Sequence, residues 1–184
     1  MTDTYTPDTS RARTRQTGVS LIEVLIAVFV LAFGILGIAA MQAGALRNNQ
    51  GAFEQSAAVF LTYSILDAMR ASMAPDPARP GEFVVRTGYA TADDTPADDE
   101  TANDGFVCNN EQIPASDPLV ASDLTLWLGN IQNNLNGGAD DGSACGRIAC
   151  AANDPNLCTV SVRWNNSRSL GGSGQQVVST RSRL

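Results

Sequence analysis

Eighteen consecutive residues, Val24–Met41, carry no charge, and a single carboxylate, Glu23, stands immediately before them. As a helix this run spans ~27 Å, close to the thickness of a bilayer's hydrocarbon core. A carboxylate in that core costs roughly 2.5–3.5 kcal/mol on insertion scales, so Glu23 calls for a partner. Arg11, Arg13 and Arg15 precede the run. The positive-inside rule keeps such an N-terminus cytoplasmic and sends the rest of the chain outward. An ordinary secretory signal is one reading, with Ala43-Gly44-Ala45 as a small-x-small cleavage site. The long tail, the length of the apolar run and Glu23 at its start argue against it. A plain signal anchor on an unrelated exported domain is a second reading.

The third reading begins at Gly18. A short hydrophilic basic leader ends there, and a cut after this small residue frees the amine of Val19. Glu23 lies four residues on, one helical turn away and on the same face. In a helical bundle its carboxylate can pair with the amine of a neighbouring subunit. Satisfying a buried charge then favours one axial register over others, as a buried polar residue does in a coiled coil.

The run Gly18-Val19-Ser20-Leu21-Ile22-Glu23-Val24-Leu25-Ile26-Ala27 resembles the type IV pilin signature. The resemblance implies that a prepilin peptidase cleaves after Gly18 and N-methylates Val19. Val19 departs from the Phe usual at that position. The helical pattern continues past Met41 through Phe53, Ala57, Phe60, Leu61, Ser64, Ile65 and Met69, at steps of three and four. Arg47, Asn48, Asn49, Gln55 and Asp67 occupy the other face, and Pro75, Pro77 and Pro80 end the pattern. A helix from about Val19 to about Met73 would be ~80 Å long. Gly34, Gly37 and Gly44 interrupt it, each costing ~1 kcal/mol relative to Ala. Close packing between helices and local loosening on leaving the bilayer both account for them. The Asn/Gln-rich stretch at Arg47–Gln50 and the later Asp67-Ala68-Met69-Arg70-Ala71 look like the type IV pilus modification (PilV) family of minor pilins.

Beyond Met73 the composition changes. Pro75–Pro80 reads as a connector and Glu82–Arg86 as a short strand with Phe83 and Val85 on one face. Thr87–Gly105 holds six acidic residues and no basic one, a solvated loop. Calcium is its functional alternative, but the spacing completes no EF-hand-type loop. Ser122 can cap a second helix carrying Leu124, Trp127, Leu128, Ile131 and Leu135, closed by Asn136-Gly137-Gly138. Trp127 reads as a core anchor. Strands follow at Arg147–Cys150, Cys158–Trp164 and Gln176–Thr180, with Gly171–Gly174 as a turn. The economical architecture is α+β, a helix laid across a small antiparallel sheet. It is also the fold that the pilin resemblance implies.

Four cysteines, Cys108, Cys145, Cys150 and Cys158, all lie in the second half, and an even count in an exported domain suggests two disulfides. Zinc is the competing reading, but there is no His and the spacing fits no common zinc module. Strand parity places Cys150 opposite Cys158 across a seven-residue loop, Ala151–Leu157. That favours Cys150–Cys158 and leaves Cys108–Cys145; the other two connectivities stay open.

Enzyme chemistry finds no footing. Without His there is no Ser-His-Asp or Cys-His arrangement, and without Lys there is no phosphate loop of the P-loop kind. No cofactor is implied. The 184 residues include 12 basic and 19 acidic; taking away the leader's three Arg and two Asp leaves 9 and 17, a net of −8. Such a charge disfavours nucleic acid and a polybasic membrane contact. The domain expectation is a cleaved leader over 1–18, a membrane and assembly half of the helix over 19–44, its amphipathic half over 45–74, and a periplasmic α+β head over 75–184. By resemblance, the chain is a minor pilin that primes type IV pilus assembly with other minor pilins and the major pilin, near the fibre tip. Its further partners would be the inner-membrane assembly platform and a tip adhesin. Twitching motility, cell adhesion and DNA uptake belong to the whole fibre. The alternative is a minor pseudopilin of a type II secretion system.

Overall fold

The computed structural model describes residues 18–92, 105–113, 117–135, 142–169, 171–172 and 174–184. The chain divides into two units, Met1–Gln42 and Ala43–Leu184. Helix α1 (Leu21–Ala71) begins in the first and ends in the second. In the first unit, every residue from 21 to 42 is exposed. Apolar on all sides, this stretch buries nothing within its own chain and suits an apolar surround.

The second unit is built on a three-stranded antiparallel sheet in the order β3 (Cys145–Ala151), β4 (Asp154–Asn165), β5 (Gln175–Arg183). A two-strand pair, β1 (Ala74–Pro75) with β2 (Phe83–Val84), stands apart from it. Period-two alternation makes β4 legible: Cys158, Val160, Val162 and Trp164 are all buried. Their row continues across the sheet through Ile148 opposite Val160 on β3 and Thr180 opposite Val160 on β5. Helix α1 lies on this face, where the Thr62 and Thr180 hydroxyls meet at 2.8 Å and Arg70 donates to the Ser182 hydroxyl at 2.8 Å. Helix α2 (Pro118–Leu135) covers the same face at the other edge. Its Trp127 ring occupies the space beside Gly146, where an added Cβ would fall 2.4 Å from the indole. The Trp127 indole N–H donates to the Leu61 carbonyl of α1 at 2.9 Å, tying the two helices together.

The outer edge of β3 is sealed rather than open to another strand. Val107 exchanges both backbone bonds with Gly146, and Thr91 bonds Ile148.

Several expectations require correction. The buried stripe of α1 is Glu54, Ala58, Leu61, Thr62, Ile65, Leu66 and Met69. Phe53 and Phe60, assigned to that stripe from spacing, are 62% and 71% exposed. The helix is turned by about one residue, because Glu54 and Thr62 find polar partners on the sheet that local periodicity does not reveal. The Glu82–Arg86 strand shrinks to β2, with Phe83 exposed and Val85 buried, so the two do not share a face. Its partner is Ala74–Pro75, whose second residue opens the expected connector Pro75–Pro80. The expected solvated loop begins with a core residue, fully buried Tyr89, and with Thr91 bonded to β3. Residues 93–104, where calcium was weighed, lie outside the described residues, as does the Asn136-Gly137-Gly138 closure.

Helix α2 starts four residues before Ser122. The Asp117 carboxylate accepts the Leu119 N–H at 2.9 Å, and Pro118 suits the first turn because it lacks a donor there. Lastly, the expected loop Ala151–Leu157 is mostly strand: Ala151 faces Asp154 across a two-residue turn, with a register shift after Cys150.

Candidate functional site

Gly18, Val19 and Ser20 are exposed and non-helical, and α1 starts at Leu21. The Ser20 carbonyl accepts the first backbone bonds, from Glu23 N at 2.9 Å and Val24 N at 3.3 Å. Glu23 therefore sits in the first turn, where free N–H groups and the helix dipole favour a negative charge. Its surroundings are otherwise apolar. Ala27 and Leu31 share its face at steps of four, with Val19, Val24 and Val28 nearby; Val19 precedes the helix, so the helical turn expected between it and Glu23 is not formed at its start. Among the described residues no side chain pairs with the Glu23 carboxylate. At Gly18, nothing among the described residues lies within 4 Å of where a Cβ would be, so the space beside this residue is open.

In the second unit the cysteines form two disulfides, Cys150–Cys158 and Cys108–Cys145. Cys150 and Cys158 are register partners on adjacent strands, so the first bridge spans directly opposite residues. The second fastens the 105–108 segment to the start of β3. Beside it the Arg163 guanidinium lies 4.4 Å from the centre of the Phe106 ring, a cation–π contact. Both pairs use up the thiols that zinc would need. Among the described residues no group of three or more His, Cys, Asp or Glu could hold a metal ion.

Two buried polar clusters escaped the sequence reading. Glu54 is 2% exposed, and its carboxylate accepts the Trp164 indole N–H at 3.2 Å and an Arg168 N–H at 3.4 Å. The Tyr89 hydroxyl donates to Asp123 and meets the Ser72 hydroxyl at 3.0 Å. Burial, and then the bond to Asp123, push the Tyr89 pKa up to about 12. Near the start of α2, Asp117 is held below the usual carboxylate range, first by the Leu119 N–H and then by Arg86 at 3.1 Å.

The Asp67–Ala71 motif has a structural meaning. Met69 is fully buried in the core, while Arg70 bonds Asp67 at 2.7 Å and Ser182 at 2.8 Å. The motif thus fixes the end of α1 to the last strand.

Residues 13–39 match the family described as Prokaryotic N-terminal methylation motif. The matched span contains the end of the basic leader, Gly18, Val19, Glu23 and most of the apolar run. It supports a type IV pilin-like or pseudopilin protein, a structural subunit rather than an enzyme. The exposed apolar helix of the first unit is consistent with a membrane-anchored protein of that kind. No curated protein and no solved structure matches the chain.

Proposed function

We propose that this chain is the precursor of a minor pilin that takes part in priming type IV pilus assembly within a complex of minor pilins at the fibre tip. The observation that carries the reading is the apolar stretch of α1 over residues 21–42, exposed on every side, with a first-turn carboxylate, Glu23, that has no partner among the described residues. That carboxylate lies four residues beyond Val19, which follows the open Gly18. A prepilin peptidase removes the leader after Gly18 and methylates Val19. Before cleavage the N-terminus is cytoplasmic and the disulfide-bonded head is periplasmic, where an oxidising compartment maintains both bridges.

Assembly transfers the apolar stem from lipid to a bundle of stems. The Glu23 carboxylate then pairs with the Val19 amine of a neighbour, which offsets the cost of burying either charge alone. The same pairing selects an axial register. Other minor pilins, the major pilin and the inner-membrane platform are the partners this reading requires, and the head leaves room for a tip adhesin.

A minor pseudopilin of a type II secretion system would use the same stem chemistry. The Asp67–Ala71 motif, with Met69 in the core and Arg70 on β5, favours the pilus reading through its resemblance to the PilV family. Intact-mass measurement and N-terminal sequencing of the membrane-extracted protein test the proposal. The expected product begins with N-methylated Val19. A product beginning at Leu46 would identify a secretory signal and overturn it.

A further inference from the structure

The described arginines are nearly all engaged. Arg70, Arg79, Arg86, Arg168 and Arg183 pair with carboxylates, and Arg163 lies over Phe106. Arg147 and Arg181 also have partners. Arg47 alone among the described arginines has none. It lines an open basin of about 660 Å³ in the second unit, with Gln50 one turn along α1 and the turn between β4 and β5 opposite.

Among the described residues, none that lines this basin is acidic. Its second guanidinium, Arg168, is fixed from beneath: the Leu135 carbonyl accepts from it at 3.2 Å and the buried Glu54 at 3.4 Å. An arginine has five donors, so these two contacts leave others to face the basin. Glu54 offsets the charge of Arg168. Arg47 therefore supplies the net positive charge and Arg168 an oriented fork. The far wall is wound in advance, with Ser169 N bonded to Asn166 O and Gly172 N to Ser169 O, both at 3.1 Å. Gly51 lets this wall close on the helix, since a Cβ there would lie 2.5 Å from the Ser169 hydroxyl.

We propose that Arg47, Arg168 and the Ser167 hydroxyl form a binding site for a phosphate-type oxyanion, with Gln50, Ser169 and Gly172 as its walls: the Gln50 amide is held by Glu54, the Ser169 hydroxyl by Asn166 and the Gly172 N–H by the Ser169 carbonyl. Two guanidiniums and the Ser167 hydroxyl, set on the two walls of the basin, match a tetrahedral anion better than a planar carboxylate, which one fork satisfies. In a chain of this acidity the surrounding field repels anions, so an uncompensated cation beside fixed donors marks a local exception. The source is a phospholipid headgroup or free phosphate. Arg47 follows the uncharged Val24–Met41 run by only six residues, within reach of headgroups if that run spans a bilayer. The site does not depend on leader cleavage or on pilus assembly.

The test uses the full chain in a non-ionic detergent, comparing the native protein with Arg47→Gln and Arg47→Lys. One arm titrates inorganic phosphate and follows thermal unfolding. The other adds phosphatidylglycerol, with diacylglycerol as the phosphate-free control, and counts retained lipid by native mass spectrometry. In at least one arm the native protein should bind, Arg47→Gln should bind about tenfold more weakly, as for a lost hydrogen bond to a charged group, and Arg47→Lys should fall between them. Phosphate dependence alone identifies a free oxyanion as the ligand. Phosphatidylglycerol retention alone identifies the headgroup. Equal behaviour of native protein and Arg47→Gln in both arms, or retention of diacylglycerol as good as that of phosphatidylglycerol with no response to phosphate, overturns the site. Arg47 is exposed and unpaired, so its loss leaves the fold intact. An acidic segment of a partner protein as the sole ligand would also show as failure in both arms.

Discussion

Trp164, on the middle strand, donates its indole N–H to the Glu54 carboxylate of α1 at 3.2 Å, across 110 residues of sequence. Both side chains are buried, at 1% and 2% exposure. The bond, with Arg168 on the second oxygen, sets which face of α1 meets the sheet. Glu54→Ala should remove both contacts and leave a buried indole N–H and a guanidinium without their acceptor. A buried N–H left without its acceptor costs about 1–3 kcal/mol, whereas Arg168, 39% exposed, keeps solvent and the Leu135 carbonyl. Glu54→Gln keeps an acceptor and should cost less. Guanidinium denaturation of the full chain in detergent, followed by tryptophan fluorescence, gives both values. Equal stability of Glu54→Ala and the native protein would mean that the cluster does not hold the helix.

That cluster also explains what could be read from sequence and what could not. The uncharged Val24–Met41 run and the Leu124–Leu135 spacing are strong because each pattern is self-contained over several turns. The β4 alternation is equally local. Phe53 and Phe60 misled because size and hydrophobicity point inward by default, whereas an acid at Glu54 points outward by default. Only a partner 110 residues away reverses the order. Tyr89 was hidden by the acidic residues after it, and its partners Ser72 and Asp123 come from two different helical regions. At the candidate site, Gly18, Val19 and Glu23 could be singled out because spacing along one chain defines them. The Arg47 basin could not, since half of it comes from the turn between β4 and β5.

Tyr89 makes stability depend on alkaline pH. Its neutral form is favoured in the folded state, with a pKa of about 12 against 10.0 for an unperturbed tyrosine. The folded protein therefore holds a proton that the unfolded chain releases between these values. The contribution is fully present below pH 10 and is lost as pH rises toward 12. Its size is on the order of 2 kcal/mol. Tyr89→Phe should flatten the fall in stability over this window, while also losing the Asp123 bond at neutral pH. Denaturant midpoints between pH 9 and pH 12 measure the effect. Parallel curves for the two proteins would remove Tyr89 from the account.

The two disulfides should differ in worth because they close loops of different length. Cys108–Cys145 spans a separation of 37 residues and Cys150–Cys158 one of 8. Restriction of the unfolded chain then gives about 4 and about 2.5 kcal/mol, respectively. The double substitution Cys108→Ser/Cys145→Ser should lower stability more than Cys150→Ser/Cys158→Ser. The second bridge joins strands already paired by backbone bonds, so its loss should leave the hairpin in register. Denaturation of both variants supplies the ordering, and the reverse order would mean that local packing outweighs loop closure.

The proposed function assigns processing to Gly18 and assembly to Glu23. On that reading, cleavage requires the small residue Gly18, whereas pairing requires a carboxylate four residues beyond the new terminus. Glu23→Ala should therefore yield mature protein of the expected N-terminus that fails to support piliation. Replacing Gly18 by a bulkier residue should instead leave full-length precursor in the membrane fraction. Glu23→Asp keeps the charge but shortens its reach by one methylene, and should assemble less than the native chain and more than Glu23→Ala. Sheared-fibre yield together with the mass of the membrane-bound form distinguishes these outcomes. Normal piliation by Glu23→Ala would show that register is set by apolar packing alone, since a stem without the carboxylate has no other charged group between Val24 and Met41 to align it.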